Sequence, residues 1–531
     1  MKTPTFVAKL LARRDALRRW GRVAAVALGF VLVFGTYFTL ADYYRERGRM
    51  NADEGYYAVA ARSVMEGKLP YRDFAYTQMP LLPYANGALM SITGFGLDAQ
   101  RRINTCWGAL ALLIAIVALW RRLGRWEPGL AAAWCVALSP HLASFEAMGK
   151  TYAAAGFFLT ACFAAVLWGG PRIYRRTIAY AVCGAFASGC RLSLALPVTL
   201  AIAALLLECR TWRQRAAVTG IAAAIAAAML LPFVLAAPAQ FVFFNFEYHA
   251  ASVFMRRSVD QFVELWRLSP AALVCCAAAL TGVFTLFRRR LYTELVLLVA
   301  AAASVVTAMV PESAYGEYAV PTLLVAATTA LAAMWAAGAM EVNPFRHVIW
   351  LLPLLAFLIP LPRLVSDERA RNGDLGSLVD AWVDAFTLSG SKDLADGQRA
   401  ASAVEAAAAF IRKEVPRGEV LASLPIVAVD AGRAVVPHTE MGQFAAMGPR
   451  DRDRAAGLNL TTLDELTRIV ESRKPVAIVK MAGTSAWNFQ WQSPSLSPQP
   501  RDLYGRFLES VDKNYVRAFA AGDIEVLTPR D

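Results

Sequence analysis

The sequence has 531 residues, of which 57% are hydrophobic and 18% are charged, and its formal net charge is +13. Mean hydropathy is +0.41, and the hydrophobic share exceeds the roughly 45–50% of soluble proteins. These values exclude an ordinary soluble globular protein and predict an integral membrane protein. Most of the positive charge lies in short loops between apolar segments, so it indicates topology and contact with anionic membrane lipids, and no nucleic-acid partner is expected.

Apolar segments near the length that crosses a bilayer recur along the first two thirds of the chain. We predict about eleven membrane spans, at 23–41, 103–120, 130–141, 152–169, 177–189, 193–207, 217–237, 270–287, 293–310, 318–340 and 348–361. The first span has the basic flank of a signal peptide, but its apolar stretch is longer than the roughly 7–15 residues of a signal core. We therefore expect it to be uncleaved.

Basic clusters mark every second loop, which is typical of loops on the cytoplasmic side of a membrane. They lie at 9–22, 121–125, 172–176, 210–215, 288–290 and Arg346. The basic segment 1–22 is therefore predicted to be cytoplasmic, and an odd number of spans places the carboxyl terminus outside. Counting the apolar segment 79–96 as a span would invert every later loop, so we expect a buried interfacial helix there.

The character of the chain changes after the last predicted span. We assign 23–362 to a transmembrane domain with a large first outer loop, 42–102, and 363–531 to an extracytoplasmic α/β domain. In the latter, patterning predicts helices at 400–413, 461–472 and 503–514, and strands at 420–424, 426–429 and 475–481. The domain lacks a phosphate-binding glycine loop and a nucleophile elbow. The eight cysteines all lie in or beside predicted spans, so no disulfide framework or cysteine metal site is indicated.

An acidic pair, Asp53 and Glu54, lies in the first outer loop shortly after the first span. An amphipathic helix is predicted to follow at 58–69, and then a segment rich in aromatic residues and proline at 73–84. A carboxylate at such a water–lipid boundary can act as a general base toward a hydroxyl. If a phosphate leaves, cations are needed to stabilise its charge. The outer loops supply Arg62, Lys150, Arg191, His249, Arg256 and Arg257.

This combination resembles the GT-C membrane glycosyltransferases, in particular the branch with the protein O-mannosyltransferases and the lipid A aminoarabinose transferase. The resemblance is sharpest over 51–84. It implies a polytopic α-helical fold with an extracytoplasmic α/β domain. It also implies an inverting hexosyl- or pentosyltransferase that uses a polyprenyl-phosphate sugar donor. The acceptor would be a lipid, glycan or protein at the outer face of the cytoplasmic membrane, and the Ala- and Arg-rich composition suggests a bacterial one.

The resemblance also assigns roles to residues. Asp53 matches the catalytic acid, and Glu54 matches a second acid that orients an arginine or a substrate hydroxyl, although a solvated glutamate is the alternative. Glu146 is a candidate acid of the second outer loop, where Lys150 either binds phosphate or extends to the membrane interface. Further phosphate-binding candidates are Arg191, His249, Arg256 and Arg257. Candidate residues of the donor or acceptor cavity are Tyr56, Tyr57, Tyr76, Gln78, Tyr84 and Tyr318.

One motif departs from this branch. The aminoarabinose transferases carry Glu-Lys-Pro-Pro where this chain has Thr77-Gln78-Met79-Pro80. A candidate metal-binding acid and a lysine are thus lost, and the sequence supports no metal or other cofactor. Two alternatives stay open: a transporter or flippase of polyprenyl-linked glycans, which often shows internal repeats that are not evident here, and an inactive scaffold with the same fold.

Overall fold

The computed structural model of the protein describes residues 6–47, 51–248, 283–284, 286–309, 318, 320–336, 400–448, 451–481 and 501–531. The predicted span 348–361, most of the predicted span 270–287 and the beginning of the α/β domain lie outside the described residues.

Helices make up the amino-terminal part. They are α1 (Phe6–Arg47), α2 (Ala52–Met65), α3 (Leu81–Thr93), α4 (Leu97–Leu123), α5 (Glu127–Ala137), α6 (Pro140–Ala147), α7 (Tyr152–Leu167), α8 (Ile173–Cys190), α9 (Ala195–Glu208), α10 (Trp212–Ala236), α11 (Pro238–Val242), α12 (Tyr292–Met309) and α13 (Val320–Ala336). Among the described residues, three helices are long and apolar enough to cross a membrane, at Arg19–Arg47, Leu97–Leu123 and Trp212–Ala236. Large apolar side chains on α1 and α10 are exposed, such as Val31 and Leu235. Contact with lipid removes the cost of that exposure.

Small residues let the central helices approach closely. Helix α4 packs against α5 and α7, and α7 packs against α8. A Cβ atom built at Gly129 of α5 would lie 2.8 Å from the backbone of Ile116 on α4. Such close packing is typical of helices in membranes, where dispersion contacts between small residues replace the hydrophobic effect.

The structure defines the bounds of two helices predicted in the first outer loop. The helix predicted at 58–69 begins six residues earlier, at Ala52, because Asn51 caps it. The segment predicted as an interfacial helix forms α3, which has 13 residues. At about 1.5 Å per residue such a helix is roughly 20 Å long, shorter than the hydrocarbon core of a bilayer.

The carboxyl-terminal part is an α/β domain, as predicted. Its elements are α14 (Ala400–Glu414), β1 (Glu419–Ala422), α15 (Pro425–Asp430), β2 (Ala434–Val435), β3 (Ala446–Met447), α16 (Arg452–Gly457), β4 (Thr461–Thr462), α17 (Leu463–Glu471), β5 (Ala477–Met481), α18 (Arg501–Asn514), β6 (Tyr515–Ala521) and β7 (Ile524–Pro529). The main sheet has the order β2-β1-β5-β7-β6. Strand β1 is parallel to β2 and β5, whereas β7 is antiparallel to β5 and β6.

The strand predicted at 426–429 is wrong, because this segment is helix α15. A short buried apolar run does not distinguish a strand from a helix by periodicity. Pro425 occupies the first turn, where its missing N–H costs no hydrogen bond. The consequence is a tight turn from β1 into α15, whose residues pack against α2.

Candidate active site

The acidic pair lies in the first turn of α2. The side-chain oxygen of Asn51 accepts a hydrogen bond from the backbone N–H of Asp53 at 3.0 Å, and the carboxylate of Glu54 accepts one from the N–H of Asn51 at 3.1 Å. This reciprocal capping box fixes where the helix begins. The amino-terminal end of a helix also favours negative charge, so both acids sit where the backbone stabilises them.

Glu54 is fully buried, which rules out the solvated alternative. Its two carboxylate oxygens accept hydrogen bonds from Nε and Nη2 of Arg101 at 2.8 and 2.7 Å, and the backbone N–H of Gly149 donates a further one at 2.8 Å. Burial alone would raise the pKa of Glu54, but the charge and hydrogen bonds of Arg101 and the two backbone donors hold it below its usual value. Glu54 is therefore an ionised clamp that joins α2 to α4 and to residue 149.

Arg101 was not among the residues predicted to be functional. Its position could have indicated a role, because Arg101 and its neighbour Arg102 flank the predicted outer end of a span, where basic residues are less frequent. Arg101 is 1% exposed and also donates to the backbone carbonyl of Arg45 at 2.8 Å. Glu54 thus has a buried arginine as its partner, and its role as a second acid of the catalytic site stays a prediction.

Asp53, in contrast, is open to solvent. Its side chain is 28% exposed, and its Oδ2 atom lies 3.1 Å from Nζ of Lys150, whose side chain is 6% exposed. Asn104 on α4 donates from Nδ2 to the backbone carbonyls of Met148 and Lys150. The side chain of Asn104 thereby holds the segment that carries Lys150 beside Asp53.

Arg191 provides a second cation. Helix α8 ends at Cys190, and Arg191 continues in an extended conformation. Its guanidinium carbon lies 5.0 Å from the ring centre of Tyr152 and 4.3 Å from that of Tyr318. Lys150 Nζ lies 5.6 Å from the ring of Tyr152. Both cations thus lie near the ring of Tyr152, an aromatic contact that favours positive charge.

Tyr57 shows that these charges share one site. Burial raises the pKa of Tyr57, the charge of Asp53 raises it further, and the charges of Lys150 and Arg191 lower it. Tyr248 belongs to the same neighbourhood, because burial and then the charge of Asp53 raise its pKa. Tyr248 is the last described residue before the predicted candidate His249; His249, Arg256 and Arg257 lie outside the described residues.

The remaining aromatic candidates fall into two groups. The rings of Tyr56 and Tyr57 are in tilted contact, with 4.4 Å between their centres, and the ring of Tyr76 lies 6.1 Å from that of Tyr57, so the three rings form one cluster. Tyr84 instead packs against Phe233 of α10 at 5.7 Å. Gln78 is half-buried, and its backbone carbonyl accepts a hydrogen bond from Tyr71 at 2.5 Å.

Glu146 does not join Asp53 in the described contacts. It is 5% exposed and lies against Tyr37 of α1 and Gly108 of α4, where the missing glycine side chain leaves room for the carboxylate. The carboxylate thus lies where α6 meets α1 and α4, and its direct role in the chemistry stays a prediction.

The segment 77–80 does not offer the donor set that a divalent ion prefers. The hydroxyl of Thr77 is buried and donates to the hydroxyl of Tyr56 at 3.2 Å, and Gln78 presents an amide where the aminoarabinose branch has a lysine. Divalent ions are held mainly by carboxylates and imidazoles. Residues 77–80 therefore do not fit a divalent ion.

Comparisons with known proteins identify the fold. No protein-family model and no curated protein sequence matches the chain. The crystal structure of ArnT from Cupriavidus metallidurans bound to undecaprenyl phosphate is similar, with a TM-score of 0.60, 13% identity, and coverage of 95% of this chain and 98% of that one. The apo form of the same protein gives a TM-score of 0.58 and 14% identity, with the same coverage. The apo oligosaccharyltransferase of Archaeoglobus fulgidus is more distant, with a TM-score of 0.46, 12% identity, and coverage of 85% of this chain and 69% of that one.

The likeness to ArnT extends over nearly the whole of both chains, so it includes the helical part and the α/β domain together. The predicted helical membrane fold with a carboxyl-terminal α/β domain is thereby confirmed, whereas the predicted number of about eleven spans stays a prediction. The chain has the GT-C fold.

Proposed function

We propose that the protein is an inverting glycosyltransferase that moves a sugar from a polyprenyl-phosphate donor to an acceptor at the outer face of the cytoplasmic membrane. The observation that carries the proposal is the contrast within the acidic pair. Glu54 is locked in a buried ion pair, whereas its neighbour Asp53 is accessible and lies 3.1 Å from a lysine. The likeness to ArnT, which was solved with undecaprenyl phosphate, supports this class of donor.

The reaction needs a base and a place for the leaving group. Asp53 takes the proton from the acceptor hydroxyl, whose oxygen attacks the anomeric carbon from the face opposite the phosphate. The bond between that carbon and the phosphate oxygen breaks, and the phosphate leaves with the electron pair. Lys150 and Arg191 stabilise its negative charge, because both lie near the ring of Tyr152 and Lys150 lies beside Asp53. Inversion at the anomeric carbon follows from the in-line geometry.

The ion pair between Asp53 and Lys150 suits this sequence of events. Without a donor, the carboxylate of Asp53 is engaged in this ion pair. A donor phosphate offers Lys150 a second anion. When Lys150 turns toward the phosphate, Asp53 is free to accept a proton from the acceptor.

The test is sugar transfer by the purified full-length protein in lipid, with a panel of labelled polyprenyl-phosphate sugars. We expect Asp53→Asn to lower the transfer rate by a factor of about 10² or more, with folding intact because the side chain is partly exposed. Asp73→Asn is the matched control, since Asp73 lies in the same loop, is 29% exposed and is also ion-paired, to Arg72. Equal activity of both variants would remove Asp53 from the mechanism. Movement of the donor across the bilayer without transfer would favour the flippase.

A further inference from the structure

Helix α2, which carries the acidic pair, is packed between the two parts of the molecule. Tyr56 and Tyr57 belong to the hydrophobic core of the helical part. Val59 and Ala61, on another face of α2, belong to the core of the α/β domain together with Ile426 of α15. The α/β domain therefore shares a core with the helix that presents Asp53.

The two parts approach each other closely directly after the acidic pair. A Cβ atom at Gly55 would lie 2.8 Å from Cδ of Pro425 and 3.0 Å from the backbone nitrogen of Ile426. Real Cβ atoms essentially never approach backbone or ring atoms so closely. Only glycine at position 55 lets α15 lie on the first turn of α2. The opposite end of α2 is fixed by a hydrogen bond of 2.8 Å from Nη2 of Arg62 to the carbonyl of Arg433.

The same helix α15 also holds α4. The carboxylate of Asp430, the last residue of α15, lies against Gly96, which directly precedes α4, and the missing glycine side chain leaves the room that this carboxylate occupies. The first N–H groups of a helix have no partner within the helix, and that end of a helix favours negative charge. Asp430 is therefore placed where it can stabilise the beginning of α4. Arg101, the partner of Glu54, lies one turn further along α4.

From these contacts we infer that the α/β domain is a structural part of the catalytic centre. Helix α15 holds the amino-terminal ends of α2 and α4 against each other, so that Glu54 meets Arg101 and Asp53 faces Lys150. Gly55 and Asp430 are positioning residues that act through these two helices. The kinetic part of this inference rests on the proposed function, and the structural part does not.

The experiment compares Gly55→Ala with Gly505→Ala in the full-length protein. Gly505 is also a helical glycine, in α18, and a Cβ there meets nothing within 4 Å. Displacement of reacting groups by about 1 Å can cost a factor of 10² in rate. We therefore expect Gly55→Ala to lower kcat by about 10- to 100-fold with little change in KM for the donor, and Gly505→Ala to leave both unchanged. Pro425→Ala in the Gly55→Ala background removes the Cδ contact and restores part of kcat.

Hydrogen–deuterium exchange provides a readout that does not need activity. We expect Gly55→Ala to speed exchange of the α2 amides by at least roughly tenfold, because a helix that loses its packing opens more often. If the wild type transfers no sugar, the proposed function fails, yet the exchange result still decides the inference. The same exchange and the same kcat for Gly55→Ala and Gly505→Ala would overturn it.

A second pair of variants decides the matter if Gly55→Ala does not fold. Asp430→Asn keeps a side-chain oxygen that can cap α4, whereas Asp430→Ala removes it. We expect faster exchange in the first turn of α4 and a lower kcat for Asp430→Ala only. Wild-type exchange and kcat in Asp430→Ala would show that α15 does not position α4.

Discussion

Removing one partner of the buried pair between Glu54 and Arg101 should damage both folding and activity. The carboxylate and the guanidinium are 0% and 1% exposed and are joined by two hydrogen bonds of 2.7 and 2.8 Å. Arg101→Met leaves the charge of Glu54 buried with only two backbone donors, those of Gly149 and Asn51. Loss of one partner of a buried pair costs about 3–5 kcal/mol.

The control is one residue away. Arg102 pairs with Asp98 at 2.7 Å, but the two side chains are 66% and 52% exposed. An exposed pair contributes about 0–1 kcal/mol, so Arg102→Met should be nearly neutral. The measurement is the free energy of unfolding in mixed micelles of a mild and a denaturing detergent. Equal losses of unfolding free energy for Arg101→Met and Arg102→Met would show that burial of the pair between Glu54 and Arg101 does not stabilise the fold.

The double mutant Glu54→Gln/Arg101→Met tests the pair directly. Because it leaves no unpaired charge, its loss should be smaller than the two single losses together, with a coupling energy of order 2 kcal/mol. The pH dependence of stability provides an independent check on the charge state of Glu54. The pKa of Glu54 lies below its usual value of 4.5, so its stabilising contribution is complete above that pH and declines as the pH falls through the lowered pKa. The variant Glu54→Gln should lose this acid sensitivity.

Three further predictions follow from single contacts. Gly108→Ala inserts a methyl group where the Glu146 carboxylate lies. We expect the free energy of unfolding to fall by about 1–3 kcal/mol in the same detergent assay. Wild-type stability of this variant would show that α4 and α6 can separate at no cost. Burial raises the pKa of Asp430 to about 6, above the unfolded value of 3.8. The stability of the wild type relative to Asp430→Asn, measured by thermal unfolding, should therefore fall as the pH rises from about 4 to 6. A stability difference that does not depend on pH would contradict the burial of this carboxyl. Arg191→Lys keeps the charge but loses the planar contact with Tyr318, so donor binding measured by KM should weaken by about 3- to 10-fold, whereas an unchanged KM would separate Arg191 from the donor.

Some of this molecule could be predicted because it depends on local pattern. The apolar segments and the basic clusters between them mark the helices, since both reflect the bilayer as solvent. The start of α2 could also have been found, because Asn51 and Glu54 form the capping-box pattern three residues apart. The prediction of a helix from residue 58 relied on apolar periodicity alone and therefore began too late.

Other features were beyond such patterns. The partner of Glu54 lies 47 residues away at Arg101, and the position of Lys150 beside Asp53 depends on Asn104 of α4. Neither spacing has a local signature, because the contacts form only when α2, α4 and the segment 148–151 come together. The strand predicted at 426–429 failed for a related reason, since short apolar runs suit either a strand or a buried helix until their neighbours are known.

Hydrophobicity and charge are patterns of short stretches of chain. They were therefore enough to predict a helical membrane protein with an α/β domain, and to locate an acidic pair after its first span. Which of the two acids is accessible depends on the tertiary structure. The two carboxylates are adjacent in sequence, but in a helix their side chains point in different directions. One turns inward to Arg101 and becomes a clamp, and the other turns outward to Lys150 and solvent. That division depends on long-range packing around α2, including the α/β domain that covers it.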